Sequence, residues 1–365
     1  MNRAIKYRIY PTKEQEILFC KTFGCCRKIW NLMLADKIAH YQKYGAHLQT
    51  TPAQYKKKYP FLKEVDSLAL ANVQLNLQKA YKEFFRQNTG FPKFKSAKHS
   101  RKTYTTNNQN GTIKLTENSI KLPKVGYVKV KIHRKPDINW KLKSACISQD
   151  SDGKFYVSVL FEYKTENPEV PVTENNTIGL DYKSDGLYTD NLGKTCGMPH
   201  YYRKSSKKLA KAQRKLKHKI SGSQNYKKQQ KRIAKIHKHI CNQRKDFLHK
   251  ESSAIAKQYA YVCVEDLDMK VMSNKSFGNG KATLDNGYGI FLNMLSYKLK
   301  AHGGKLIRVD RFYPSCQLCY ACGMRHPEMK DLKIRVLHCN CGYTEDRDYN
   351  AAKNIKREGL KLLSA

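Results

Sequence analysis

The sequence predicts an α/β fold joined to a mixed β region. Three observations carry that prediction. The N-terminal half holds two helical stretches, then several short strand-like segments separated by turn residues. The C-terminal half holds short apolar strands that end on carboxylates and alternate with helices. Five cysteines, Cys316, Cys319, Cys322, Cys339 and Cys341, crowd in front of a helix start, as in a small metal-binding knuckle. A chain of 365 residues has room for two or three domains around a substantial core.

Taken in order, Ala4 to Tyr10 alternates apolar and basic residues and reads as a strand. Pro11 and Thr12 end it and start a helix from Glu14 to about Tyr41. A second helix runs from about Ser67 to Gln87. Its Leu70, Val73, Leu77, Ala80, Tyr81 and Phe84 recur at helical steps and form a core stripe. Phe91-Pro92-Lys93-Phe94-Lys95 is extended and basic. Strands follow at Gly111 to Leu115, Ser119 to Leu122, Tyr127 to Ile132, Ala145 to Gln149 and Phe155 to Tyr163, as in a small β-barrel or sandwich. The opening strand joins them, with the two helices inserted.

The polar stretch Glu166 to Asn176 marks a boundary. Beyond it, Asn176 to Asp181 is a buried strand and Leu187 to Asp190 its hairpin return. Tyr201 to Lys250 is a basic helical hairpin broken at Ser221-Gly222-Ser223, with Asp246 its sole acidic residue. Tyr261 to Glu265 is a strand, Gly289 to Lys300 a helix, and Lys305 to Val309 a strand that leads to the cysteines.

Lys and Arg number 70 against 30 Asp and Glu, a net charge of +40. Such an excess repels itself unless a polyanion neutralises it, so nucleic acid is the expected partner. No apolar run approaches a membrane span, and no signal peptide is evident, so a cytosolic or nucleoid location is expected. There, twelve cysteines are metal ligands or reduced core residues rather than disulfides. Cys20, Cys25, Cys26, Cys146, Cys196, Cys241 and Cys263 read as small buried hydrophobes.

Asp181 and Glu265 end apolar strands, and Asp348 opens a helix. Strand ends and helix starts gather at one edge of an α/β sheet, where sites form. Carboxylates meeting there repel one another unless cations lie between them, and Mg²⁺ or Mn²⁺ suits oxygen ligands. Two such ions about 3.5–4 Å apart can activate water and stabilise the leaving oxygen of a phosphodiester. Taken singly, each acid is as well explained as a cap or turn residue, Asp348 as an N-cap for example. Asp266, Asp268 and Asp346 lie beside the three and are alternatives to them.

Cys319-x-x-Cys322 and Cys339-x-Cys341 can supply four thiolates to one tetrahedral Zn²⁺, a closed and therefore structural site. The second pair is one residue shorter than the usual spacing, so Cys316 or His338 is an alternative ligand.

Ile178-Gly179-Leu180-Asp181-Tyr182, Val264-Glu265-Asp266-Leu267 and Asp346-Arg347-Asp348-Tyr349-Asn350-Ala351-Ala352 resemble the three split motifs of a RuvC-type nuclease. Their order, with the cysteines between the second and third, resembles the transposon-encoded TnpB (OrfB) family, relatives of the type V CRISPR effectors. Lys6-Tyr7-Arg8-Ile9-Tyr10-Pro11, Thr22-Phe23-Gly24-Cys25, Gly90-Phe91-Pro92-Lys93-Phe94 and Tyr313-Pro314-Ser315 are similar to other stretches of that family.

The resemblance implies a wedge β-barrel over 1–12 and 90–170, with a helical recognition insertion over 13–89. It implies an RNase H-like (RuvC) nuclease domain over 175–312 and 343–365, carrying a zinc insertion over 313–342. It further implies an RNA-guided DNA endonuclease of a transposable element, with a guide RNA and double-stranded target DNA as partners. Asp181, Glu265 and Asp348 match the catalytic, magnesium-binding triad. A short flanking DNA motif would be read near Ser67, Ala71, Thr106 and Asn107. The competing expectations are an RNA-guided or zinc-containing DNA-binding protein without cleavage, and an accessory transposase.

Overall fold

The computed structural model describes residues 1–164, 168–274 and 280–364. The chain divides into two compact units, Met1–Thr165 and Glu166–Ala365. Glu166 and Asn167, the start of the expected boundary stretch, lie outside the described residues. Among the described residues no helix is long and apolar enough to cross a membrane.

The first unit holds β1 (Asn2–Tyr10), α1 (Lys13–Tyr44), α2 (Ser67–Phe85), β2 (Lys102–Asn107), β3 (Lys114–Leu115), β4 (Ser119–Leu122), β5 (Gly126–Lys131), β6 (Lys141–Gln149) and β7 (Phe155–Glu162). Its seven strands form an antiparallel sheet in the order β2-β6-β7-β1-β5-β4-β3. The opening strand is thus central. The chain leaves the sheet after β1, makes both helices and returns at β2. Thr12 starts α1 through a capping box with Gln15, and Gly45, at φ 64°, ends it. Tyr7, Ile9, Phe19, Ile29, Leu70 and Ile120 belong to one buried core shared by strands and helices.

Strand β2 was not expected, because Lys-Thr-Tyr-Thr-Thr-Asn carries little apolar signal. Its β-branched threonines suit a sheet edge, and it buries only Tyr104 and Thr106. Of the seven cysteines expected in cores, Cys25, Cys26, Cys196 and Cys263 are buried and Cys146 and Cys241 are half-buried. Cys20 is exposed; it sits one step round α1 from Phe19, which faces the core.

The second unit holds β8 (Thr177–Tyr182), β9 (Tyr188–Asp190), β10 (Thr195–Cys196), α3 (Tyr201–Lys217), α4 (Gln224–Gln258), β11 (Tyr261–Glu265), α5 (Met269–Met272), α6 (Gly280–Asn286), α7 (Tyr288–Ala301), β12 (Lys305–Val309), β13 (Val336–His338), β14 (Thr344–Asp346) and α8 (Arg347–Ser364). The main sheet runs β10-β9-β8-β11-β12, with β8, β11 and β12 parallel. Parallel strands covered on both faces read as continuous apolar runs, as β8 and β11 do. Ile178, Leu180, Val262 and Val264 pack with Leu248 and Ile255 of α4 and Phe291 and Leu295 of α7. Cys263, Ile307 and Val309 pack with Ile355 of α8.

Helix α8 comes very close to the sheet. A Cβ at Gly179 would stand 2.3 Å from the Ala352 carbonyl oxygen and 2.8 Å from the Lys356 nitrogen. A Cβ at Gly359 would stand 2.2 Å from the Cys263 sulfur. Backbone cannot yield as a flexible side chain does, so Gly179→Ala must push the helix off the strand. We expect it to destabilise the protein by about 1–3 kcal/mol, measured by thermal unfolding. Gly197→Ala, with nothing within 4 Å of its Cβ, should leave stability nearly unchanged.

Candidate active site

Strands β8 and β11 pair in parallel with Leu180 opposite Val264. Asp181 and Glu265 are the next residues on each, so both carboxyls leave the same end of the sheet. Helix α8 packs on both strands and carries Asp348 in its first turn. Burial pushes the Asp181 carboxyl well above the usual carboxylate range, and the nearby charges of Glu265 and Asp348 push it further. Arg347 and Arg335 pull the other way. Burial also raises Glu265, against the Ser315 hydroxyl, which donates to its Oε1. The fold thus brings the three predicted acids within one electrostatic neighbourhood. The donor set is oxygen, which suits Mg²⁺ or Mn²⁺.

The alternative acids are each used otherwise. Asp346, not Asp348, caps α8, accepting from the backbone N–H groups of Asp348 at 2.9 Å and Tyr349 at 3.1 Å. Asp268 caps α5. Asp266 pairs with Arg308 at 2.8 Å and Arg311 at 3.3 Å. Asp348 is therefore free of cap duty and faces cations instead. Arg335 Nη2 lies 2.5 Å and Lys183 Nζ 3.5 Å from its Oδ2.

Two residues here, Arg335 and Ser315, escaped the sequence reading. Each lies far along the chain from the acid it touches, and spacing carries no signal of such contacts. Tyr313-Pro314-Ser315 had stood out only as a resemblance.

The repeated asparagines of α8 hold the cysteine loop. Asn350 Nδ2 donates to the Leu318 carbonyl at 2.8 Å, and its Oδ1 accepts from Tyr320 N at 3.1 Å. Asn354 Nδ2 donates to the carbonyls of Ser315 at 2.9 Å and Leu318 at 2.7 Å. Both asparagines are fully buried.

Cys319, Cys322, Cys339 and Cys341 offer sulfurs that all lie within 4.8 Å of one another. Among the described residues no other group of three or more metal-ligating side chains is this compact. Cys319 and Cys341 sulfurs are 3.7 Å apart, and those of Cys322 and Cys339 are 3.5 Å apart. Thiolates at about 2.3 Å around a tetrahedral zinc stand about 3.8 Å apart, so the cage fits that ion. The Cys322 thiol is already held down to about 7, chiefly by the Met324 backbone N–H. Cys316 and His338 stand outside the cluster. The Cys316 sulfur accepts from Arg347 Nη2 at 3.8 Å, and His338 Nδ1 meets Thr344 Oγ1 at 3.3 Å.

The four residues expected to read DNA are less uniform. Ser67 is exposed and its Oγ accepts from Lys56 at 3.0 Å; Ala71 and Asn107 are half-buried. Thr106 is fully buried, and its hydroxyl donates to Asp66, the cap of α2. It ties β2 to that helix and has no face left for a base edge. A cavity of about 410 Å³ opens nearby, lined by Arg27, Asn72, Asn76, Lys95, Arg101 and Lys102 among others. None of the four expected readers lines it.

Two outcomes follow from this geometry. The purified protein should carry about one zinc per chain, read by elemental analysis. Cys322→Ser or Cys341→Ser should lose it, and Cys316→Ser should retain it. The second outcome concerns Asp181. In the metal-free fold it holds a proton that the unfolded chain releases near pH 4. Stability therefore falls as pH rises from there to the raised value. In magnesium-free buffer at pH 7, Asp181→Asn should melt above wild type, and the gap should close toward pH 4.

The chain is similar to known proteins. A family model described as the OrfB probable transposase of IS605 matches residues 160–276. One described as a Cas12f1-like TNB domain matches 288–355, and one described as a helix-turn-helix domain matches 1–46. In this chain the last segment is a strand and one unbroken helix. A "putative RNA-guided DNA endonuclease" of Streptomyces pristinaespiralis is 33% identical, across 99% of this chain and 90% of its own length. One from Escherichia coli K12, InsQ, bears the same description and is 30% identical across 99% and 93%. The protein chain in a cryo-EM structure of a Cas12f1–sgRNA–target DNA complex has the same fold. It aligns at a TM-score of 0.62 over 98% of both chains, with 12% identity. With one-third of its residues shared along nearly the whole of a curated relative, the chain belongs to the OrfB (TnpB) family.

Proposed function

We propose that the protein is a metal-dependent, RNA-guided DNA endonuclease. In this reading a guide RNA held by the chain pairs with one strand of a double-stranded target. The observation that carries the proposal is that Asp181, Glu265 and Asp348 lie at one sheet end, near enough for the charges of the other two to add to burial in raising the first. The names of two relatives aligned nearly end to end support the guided, DNA-cleaving reading.

Asp181, Glu265 and Asp348 would hold Mg²⁺ or Mn²⁺. When bound, the ions supply an activated water and stabilise the leaving oxygen of the phosphodiester. The chain's own side chains do the rest. Ser315 fixes the orientation of Glu265. Arg335 gives one N–H to Asp348 and keeps others in its planar fork for phosphate oxygens. Lys183 adds a second cation on the same side. The zinc cage is closed by sulfur and takes no part in the chemistry; it keeps 313–342 folded against α8.

We assign 175–312 and 343–365 to the nuclease domain and 313–342 to its zinc insertion. We assign 1–12 and 90–170 to a wedge barrel, with 13–89 inserted for recognition. Helices α3 and α4 bury a small core of Leu209, Ala212, Ile236 and Ile240 and leave most of their lysines exposed. That suits a surface that tracks phosphates. The flanking motif would be read near Ser67, Ala71 and Asn107, with the nearby cavity contributing Asn72 and Asn76. These share one face of α2, and an asparagine amide can address adenine in two hydrogen bonds.

The test is Asp181→Ala in the purified complex. Cleavage of a matched target should fall about a thousandfold or more, while the co-purified RNA is unchanged. Undiminished cutting by that variant would sink the assignment.

A further inference from the structure

Tyr288 opens α7 and is 1% exposed, yet its hydroxyl has no hydrogen-bond partner. The hydroxyl of Tyr182 beside it is likewise buried without a partner, but other buried tyrosines are paired. Tyr7 donates to the Arg134 carbonyl at 2.7 Å, Tyr188 to Glu251 and Tyr261 to the Val170 carbonyl. A buried hydroxyl left without an acceptor is costly, so such atoms are rare and call for a missing partner.

The place of Tyr288 identifies that partner. Its ring packs on Tyr182, the neighbour of Asp181, with centroids 4.8 Å apart. Asn286, fully buried two residues earlier, donates to the carbonyls of Lys183 at 3.4 Å and Ser184 at 2.7 Å. The start of α7 is therefore pinned to the exit of β8, where Asp181 and Lys183 stand. Burial, then the charges of Asp181 and Glu265, push the Tyr288 phenol upward, so it stays a neutral O–H donor at working pH.

We infer that Tyr288 is a positioning residue of the cation site, donating its O–H to an oxygen present when the site is loaded: a carboxylate oxygen of Asp181 or Glu265, or a water on the ion. The inference rests on the proposed cation-binding role of the three acids and adds a fourth member to them. Without the cation the donor is orphaned; with it, the donor is paired. The ring serves packing, and the hydroxyl alone serves the site, so Tyr288→Phe separates the two.

The experiment is thermal unfolding of the full-length protein, as purified, in magnesium-free buffer and across titrations of Mg²⁺ and Mn²⁺. Asp181→Asn is included so that the site's share of the shift is the part this variant lacks. We expect Tyr288→Phe to be at least as stable as wild type without the ion. Its cation-dependent rise in melting temperature should then need an about 2- to 10-fold higher concentration. Coincident titrations of wild type and Tyr288→Phe would overturn the inference and leave the carboxylate reading standing. So would a loss of stability in Tyr288→Phe without the ion, since the hydroxyl would then already have a partner. Wild type and Asp181→Asn responding alike to both ions would remove the cation site itself, and the inference with it.

Discussion

Helix α8 rests on its sheet backbone against backbone, and the site depends on that contact. Gly179 and Gly359 remove the two side-chain carbons that would hold helix and strands apart. Ala351 and Ala352 are buried in the same contact. At this separation the first turn of α8 delivers Asp348 to the strand end that carries Asp181. Its next turns bring Asn350 and Asn354 to the loop that carries Ser315 and Leu318. A wider gap would withdraw an acid and slacken the support of a second one at once. Sheet, helix and metal knuckle are thus coupled through a spacing set by glycine.

That coupling gives the cysteine cage a route to the acids without chemistry of its own. Val336 pairs with Asp346 across the β13–β14 hairpin, and Cys339 and Cys341 lie in the turn that joins the two strands. Arg335 stands just before this hairpin, and its carbonyl accepts from Arg347 N at 2.8 Å. Arg335 thus stands between the hairpin that carries the cysteines and Asp348, which it contacts. A flexible arginine loses much side-chain freedom on being held. Here the backbone on both sides of it is already committed. In the proposed reading the cage is structural, and what it structures is an electrostatic partner of the site.

How much of this was legible in the sequence depends on the distance over which each signal acts. Strand, turn and cap chemistry is local, so β8, β11, β12 and the broken helical hairpin stood near their expected places. The cysteine spacing announced a cage, and folding resolved the shortened second pair in favour of the four paired cysteines. Asp348 could not be told from an N-cap by sequence, because Asp346 two residues earlier is an equally good cap. The backbone geometry that selects Asp346 forms only when α8 docks. Strand β2 was invisible because an edge strand needs few apolar residues. Thr106 was misjudged because its hydroxyl is taken by Asp66, 40 residues away. Arg335, Ser315 and Tyr288 are long-range in the same sense: their importance lies in what folding puts beside them.

The charge of the chain poses an opposite problem at the site. A surface with +40 net charge draws a polyanion toward a spot where carboxylates, once ionised, would repel it. Lys183 and Arg335 contact Asp348 directly, and Arg335 and Arg347 act on Asp181 only through their charge. Asp181 and Glu265, whose carboxyls burial pushes upward, have no such cation in direct contact among the described residues. They can avoid repelling phosphate by keeping a proton or by binding a divalent ion. Only the ion would leave them charged and yet attractive to phosphate through the metal, with Glu265 keeping the hydrogen bond that Ser315 already gives it. The basic surface thus concentrates substrate whether or not metal is present. In the proposed reading, the inner site becomes hospitable to a phosphodiester only when an ion has replaced the proton.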